Sequence, residues 1–197
     1  MMPKKIAFAG ASGTGKTVLA KYLEEALDTP FNPIGSRNVA KMMGYANPYE
    51  VDAAGKRAEF QRRLITEKLE WEWATPHFVT DRTPCDNLAY TLLHDVRCVD
   101  SAMLDRVAAG MRQYTHVIFC RMSGFFALNG DPVRVPEHTY HEMYELVLAG
   151  LLDRFKGEQA RVFELRASNL EDRKALIRHF VGTPGVRSHH VCEGCGE

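Results

Sequence analysis

The chain has 197 residues, of which 45% are apolar and 25% charged, with 25 basic side chains against 25 acidic ones. That length suits one α/β domain with a sizeable core and excludes two large ones. Zero net charge supplies no general attraction to nucleic acid or an anionic membrane, and no apolar run approaches the roughly 20 residues that span a bilayer.

Residues 4–9, KKIAFA, read as a buried strand. A signal peptide also starts with charge and an apolar run, but here the run breaks into glycines after five residues, without a small-residue cleavage site. A cytoplasmic protein is expected. GASGTGKT follows, and then VLAKYLEEAL, where Leu19, Leu23 and Leu27 recur at helical spacing. Residues 28–50 carry too much Pro, Gly and Asn for one regular element, although SRNVAKMMG can hold a short helix capped by Ser36. Residues 53–74 read as one long amphipathic helix, with Phe60, Leu64 and Trp71 on one face and Ile65, Leu69 and Trp73 flanking it.

HFVTD is the next buried strand, with CDNLAYTLLH as a helix behind it. DSAMLDRVAAGMRQY predicts a further helix and THVIFC a further strand. Residues 122–138 are punctuated by Gly, Asn and Pro and read as a lid-like loop. TYHEMYELVLAGLLDRF is a helix with Met143, Val147, Leu151 and Phe155 on one stripe, ARVFEL a last strand, and NLEDRKALIRHFV a last helix. Periodicity ends after Gly182, leaving residues 183–197 as a tail beyond a domain of residues 1–182.

The segment Gly10-Ala-Ser-Gly-Thr-Gly-Lys-Thr17 fits the pattern G-x-x-x-x-G-K-[ST]. Glycines let the backbone curl so that its N–H groups converge on phosphates, and the following helix adds the positive end of its dipole. Gly10, Ser12, Gly13, Thr14 and Gly15 form this cradle, Lys16 reaches the outer phosphates, and the Thr17 hydroxyl ligates Mg²⁺. A chance glycine loop would not also follow a buried strand and open an amphipathic helix. Buried strands alternating with helices complete the expectation: a P-loop α/β three-layer sandwich with a mostly parallel, five-stranded sheet.

Such a loop needs a second acid at the end of a buried strand, to hold Mg²⁺ or take a proton. Asp81 ends HFVT and fits, whereas THVIFC runs into Arg121 with no acid. The alternative for Asp81 is a helix cap, and for Arg82 a surface arginine. Asp86 either caps the following helix or orients Arg82.

FAGASGTGKTVLAKYL together with FVTDRTPCDNLAY resembles the small P-loop kinases of nucleosides and nucleotides. The nearest likeness is to the branch of nicotinamide-ribose kinases and related AAA-class ATP-binding proteins. More distantly the chain is similar to thymidylate kinases, where an Asp-Arg pair ends the corresponding strand. The resemblance runs from about residue 4 to 181. It implies ATP and Mg²⁺ on Lys16 and Thr17, with Asp81 as base or metal-water anchor. It implies Arg82 and Arg37 as substrate-side contacts and Gln61 as a reader of a base. Arg121 and Arg134 are implied as lid arginines that stabilise charge on the transferring phosphoryl group. The branch usually places an acid before Arg37, where this chain has Ser36, which weakens the carry-over of specificity for nicotinamide ribose.

The expected activity is therefore phosphoryl transfer from ATP to a nucleoside, nucleotide or nucleobase-linked hydroxyl, with Phe31, Tyr45, Tyr49 and Phe60 available for stacking. A small molecule is the expected partner. An alternative acceptor is 5-hydroxymethyluracil within DNA, as for some phage kinases, with KRAEFQRR contacting phosphates; a solvated helix face explains that cluster more simply. A second alternative is a nucleotide-dependent switch that phosphorylates nothing, against which Arg82 and Arg134 argue. Oligomeric state is not legible. Finally, His189, His190, Cys192 and Cys195 offer donors for a tetrahedral Zn²⁺, although the two pairs stand close together. A tail with two exposed thiols accounts for the same residues.

Overall fold

The computed structural model describes residues 4–127 and 137–182. Four parallel strands form one sheet: β1 (Lys5–Ala9), β2 (Phe78–Asp81), β3 (His116–Cys120) and β4 (Arg161–Leu165), in the order β2-β1-β3-β4. Side chains alternate across a strand, and the alternation here divides two cores. Ala7, Ala9, Phe78, Val117 and Phe119 face one side, and Ile6, Phe8, Val79, Ile118 and Cys120 face the other.

Helix α1 (Lys16–Leu27) and the last helix, α8 (Leu170–Gly182), cover the second face through Leu19, Leu23, Ile177 and Val181. The first face is covered by α4 (Arg57–Ala74), α5 (Pro84–His94), α6 (Ser101–Met111) and α7 (His138–Phe155). This is the expected three-layer sandwich. Strand β1 has β2 on one side and β3 on the other, so the chain reverses direction across the sheet beside β1. That switch point opens a crevice at the carboxyl ends of the strands, where ligands bind in open α/β sheets.

Where five strands were expected, the described residues form four, with Phe31 making a single parallel bridge to Val79 on the outer edge of β2. Pro30 and Pro33 flank that bridge, and a residue without an N–H cannot extend a ladder. The expected 53–74 helix is also divided. Helix α3 (Pro48–Ala53) ends in a turn where Gly55 takes φ 67°, and α4 starts afresh at Arg57. Helix α2 (Ser36–Met42) has Gly35 as its cap and Ser36 as its first residue, one position later than expected for Ser36. A small apolar cluster of Val39, Ala40, Val51, Phe60 and Leu64 binds α2, α3 and α4 into a wall beside the crevice. On α7 the buried stripe is His141, Tyr144, Glu145, Leu148 and Leu152, while Met143 is 48% exposed.

Helix α4 buries charge as well as hydrocarbon. Lys68 and Glu72 are both enclosed and pair at 3.3 Å. Glu72 also accepts from Asn32 Nδ2 (2.9 Å), Gln113 Nε2 (3.0 Å) and the Tyr114 hydroxyl (2.7 Å). Lys68 Nζ donates to Thr80 Oγ1 and to the Asp81 carbonyl (3.1 Å), tying α4 to the end of β2. Removing one partner of such a pair strands the other charge. Glu72→Ala is expected to lower stability by about 3–5 kcal/mol in denaturant titration.

Candidate active site

Each glycine of the loop after β1 takes a backbone conformation closed to most side chains. Gly10, Gly13 and Gly15 have φ of 139°, 85° and 74°. A Cβ on Gly10 would stand 2.5 Å from the Cys120 carbonyl oxygen. Thr14 Oγ1 donates to the Ala11 carbonyl (2.9 Å), closing the loop on itself. Lys16 Nζ is buried and donates to that same carbonyl at 2.6 Å.

Burial, with the charge of Arg82 adding to it, pulls the Lys16 ammonium down to about 8 from its ordinary 10.5. Below pH 8 both folded and unfolded chains hold this proton, so the cost of burying the charge is fully felt. Between about 8 and 10.5 the unfolded chain holds a proton that the folded one has shed, and this group's contribution to stability therefore rises with pH. A bound phosphate reverses the shift by favouring the ammonium. Nucleotide affinity is expected to fall as pH rises above 8, with proton uptake on binding, detectable by calorimetry in buffers of different ionisation enthalpy.

The first residue after Lys16, Thr17, donates its hydroxyl to Asp81 Oδ2 at 2.5 Å. The other oxygen, Asp81 Oδ1, is buried and takes no hydrogen bond. A hydroxyl and a carboxylate meeting at the mouth of a phosphate loop, with one carboxylate oxygen unengaged, are donors that suit Mg²⁺.

Arg82 follows with φ 75°, a strained conformation for a non-glycine residue. Its N–H donates to the Phe8 carbonyl (2.8 Å), and its guanidinium reaches Ser12 Oγ (3.1 Å) and the Tyr144 hydroxyl (3.3 Å) over the ring of Tyr90. Asp86 is fully buried. It closes a capping box with Thr83, accepts from the Gly10 N–H (3.1 Å) and the Tyr144 hydroxyl (2.8 Å), and lies 3.6 Å from Arg82. With both oxygens engaged and no face on the cleft, Asp86 braces the loop and Arg82. Its placement answers the cap-or-orient question with both roles and leaves no surface for the expected substrate contact.

These groups line one cleft of about 710 Å³. Ser12, Gly13, Gly15, Lys16 and Thr17 form its floor, and Asp81, Arg82 and Tyr90 one side. Arg37, Gln61, Phe31, Tyr49 and Phe60 also line the cleft, while Tyr45 packs against the α2–α4 cluster. Besides Asp81 Oδ1, the buried polar atoms on cleft-lining side chains that make no hydrogen bond include Asp52 Oδ1, Arg57 Nε, Gln61 Oε1 and Asn87 Nδ2, although Asp52 and Arg57 pair with each other through Oδ2 and Nη1 at 2.9 Å. Of these four atoms, two are acceptors and two are donors. A buried polar group without a partner is costly unless water or a ligand supplies the bond. Of these four only Gln61 was named from the sequence. Asn87 follows Asp81 and Arg82 on the next element, and Arg57 sits one turn before Gln61 on α4, so spacing along α4 was the available signal.

Arg121 does not join the cleft. It pairs with Glu145 (3.1 Å) and Glu164 (3.6 Å) and lies over Phe119, which corrects its expected nucleotide contact. Its guanidinium is already matched by carboxylates of α7 and β4. Arg134, most of the lid-like loop, and His189, His190, Cys192 and Cys195 lie outside the described residues. Among the described residues no cluster of His, Cys, Asp and Glu suits a metal on its own, and no helix is long and apolar enough to cross a membrane.

A family model, AAA_28, described as an AAA domain, matches residues 5–173. No curated protein matches the sequence. Among solved structures, the NadR protein in complex with NAD and AMP-PNP superposes with a TM-score of 0.67 at 14% identity. That match covers 96% of this chain and 52% of NadR, so the chain spans about half the length of that relative. Deoxyadenosine kinase from M. mycoides with bound dATP gives a TM-score of 0.60 at 15% identity, covering 91% of this chain and all (100%) of the kinase. Thymidylate kinase from Candida albicans gives 0.53 at 11% identity, with 92% of each chain covered. At such identities the likeness is one of fold.

Proposed function

The chain belongs to the AAA domain family that its residues 5–173 match, and from that premise we propose that it is an ATP- and Mg²⁺-dependent kinase of a nucleoside, nucleotide or nucleobase-linked hydroxyl. The observation that carries this reading is the pairing of Asp81 with Thr17, in a cleft that has a phosphate loop as its floor and unengaged hydrogen-bonding groups on its walls. A switch needs the floor alone. A kinase also needs a place for an acceptor.

In this mechanism the loop N–H groups and the Lys16 ammonium hold the β- and γ-phosphates of ATP. Thr17 and Asp81 Oδ2 would hold Mg²⁺, which supplies positive charge to the phosphates when bound. Asp81 Oδ1 is left to orient the acceptor hydroxyl and take its proton. The acceptor oxygen bonds to the γ-phosphorus as the bond to the β-γ bridging oxygen breaks, and ADP departs. Arg82 faces the developing charge from the side. Arg37 is proposed as an acceptor contact, and Arg134 as a lid contact to the transferring group. Residues 1–182 act as the kinase domain, with 183–197 a tail whose His and Cys residues are candidate Zn²⁺ donors.

Gln61 Oε1, an acceptor, and Asn87 Nδ2, a donor, support an acceptor molecule that presents donors and acceptors together, as the edge of a nucleobase does, with Phe31 and Tyr49 available to its faces. A thermal-shift panel of nucleosides, nucleotides and short DNAs carrying hydroxymethyluracil, run with a non-hydrolysable ATP analogue, tests this. Stabilisation by a nucleobase-bearing compound that requires the analogue is expected. Stabilisation only by DNA, weakening steeply with salt, would move the acceptor into a nucleic acid. No response to any acceptor would favour the switch.

A further inference from the structure

Arg173 lies on α8, 159 residues from its hydrogen-bond partner in the phosphate loop. It is 2% exposed, an unusual position for a guanidinium. Arg173 Nη2 donates to the Thr14 carbonyl at 2.8 Å. Its Nη1 fills the space beside Gly15, where a Cβ would stand 2.9 Å away, and its Cζ lies 5.5 Å from the ring of Phe125. No carboxylate is paired with it among the described ion pairs, although its burial is costly.

We propose that Arg173 is a positioning residue of the phosphate loop, fixing the Thr14–Gly15 peptide so that the Gly15 N–H faces the bound nucleotide. The peptide unit is planar and trans, so its C=O and N–H point in opposite directions. Holding the Thr14 oxygen on the α8 side turns the Gly15 N–H to the other side, where Gly15 lines the cleft. Gly15 has φ 74° and carries no side chain to restrain it, so an external restraint does what its own residue cannot. The same contact puts a positive charge behind the loop, where it favours anionic ligands without touching them. Preorganised donors of this kind spare the ligand the cost of ordering the loop.

The inference rests on the loop's binding nucleotide phosphates, and the test separates the two. ATP affinity is measured calorimetrically for the wild type, Arg173→Lys and Arg173→Met, and the KM of each substrate is measured at saturation of the other. Arg173→Met is expected to weaken ATP binding about tenfold or more, the scale of one lost hydrogen bond to a charged group, with acceptor KM unchanged. Arg173→Lys keeps the charge and one donor, and is expected to lose only about threefold by the same reasoning. Equal ATP affinity in Arg173→Lys and the wild type, or a proportional loss for ATP and acceptor, overturns the positioning role. If Arg173→Met does not fold, the lysine variant decides alone. A wild type that binds no ATP would overturn the nucleotide reading itself, and the positioning role with it.

Discussion

Lys16→Ala is expected to abolish phosphoryl transfer, lowering turnover by a factor on the order of 10³ or more, the scale seen when a charge clamp on a transferring phosphoryl group is removed. The size of the effect follows from the side chain's surroundings. Lys16 is 5% exposed and held against the Ala11 carbonyl and Thr14 hydroxyl, so its ammonium is kept away from water in a site built to present it. A charge in that setting acts on phosphates far more strongly than one in solvent. The same burial means that the fold gains little from the ammonium. Lys16→Ala is therefore expected to melt within a few degrees of the wild type in the absence of nucleotide, while losing the rise in melting temperature that ATP produces. Loss of activity through unfolding would show the reverse pattern.

Asp81→Asn separates binding from chemistry. The substitution keeps the shape and can still accept from Thr17 Oγ1, but it removes the negative charge and the proton acceptor. ATP binding should persist, because the loop and Lys16 hold the phosphates. Turnover should fall by roughly 10²–10⁴, the usual contribution of a positioned general base, with a further loss where the metal is held less firmly. Single-turnover phosphoryl transfer under saturating ATP measures this directly. A nearly normal rate would remove Asp81 from the role assigned to it.

What could be read in the sequence was mostly local. The loop and the strand-end acid are short motifs bounded by apolar runs, and their meeting at Thr17–Asp81 follows from the pairing of β1 with β2, which puts Phe8 beside Asp81. The polar interior was not legible. Periodicity assigns charge to solvent, whereas Lys68 and Glu72 of α4 and Glu145 of α7 are buried. That bias also shifted the α7 stripe by one residue, toward Met143 and away from Tyr144, whose hydroxyl serves Asp86 and Arg82. The resemblance implies Arg121 as a lid arginine, but Glu145 and Glu164, distant in sequence, pair with it. Arg173 belongs to no motif, and only the packing of α8 beside α1 brings it to Thr14.

Transfer of the γ-phosphoryl group is the central claim, and a turnover assay with labelled ATP tests it most directly. The protein is incubated with Mg²⁺ and, in turn, with nucleosides, nucleotides and hydroxymethyluracil-containing DNA, and the label is followed. The account predicts ATP consumption stimulated by one nucleobase-bearing acceptor, with label recovered in that acceptor and lost in Asp81→Asn. ATP hydrolysed to free phosphate at a rate that no acceptor changes would contradict it.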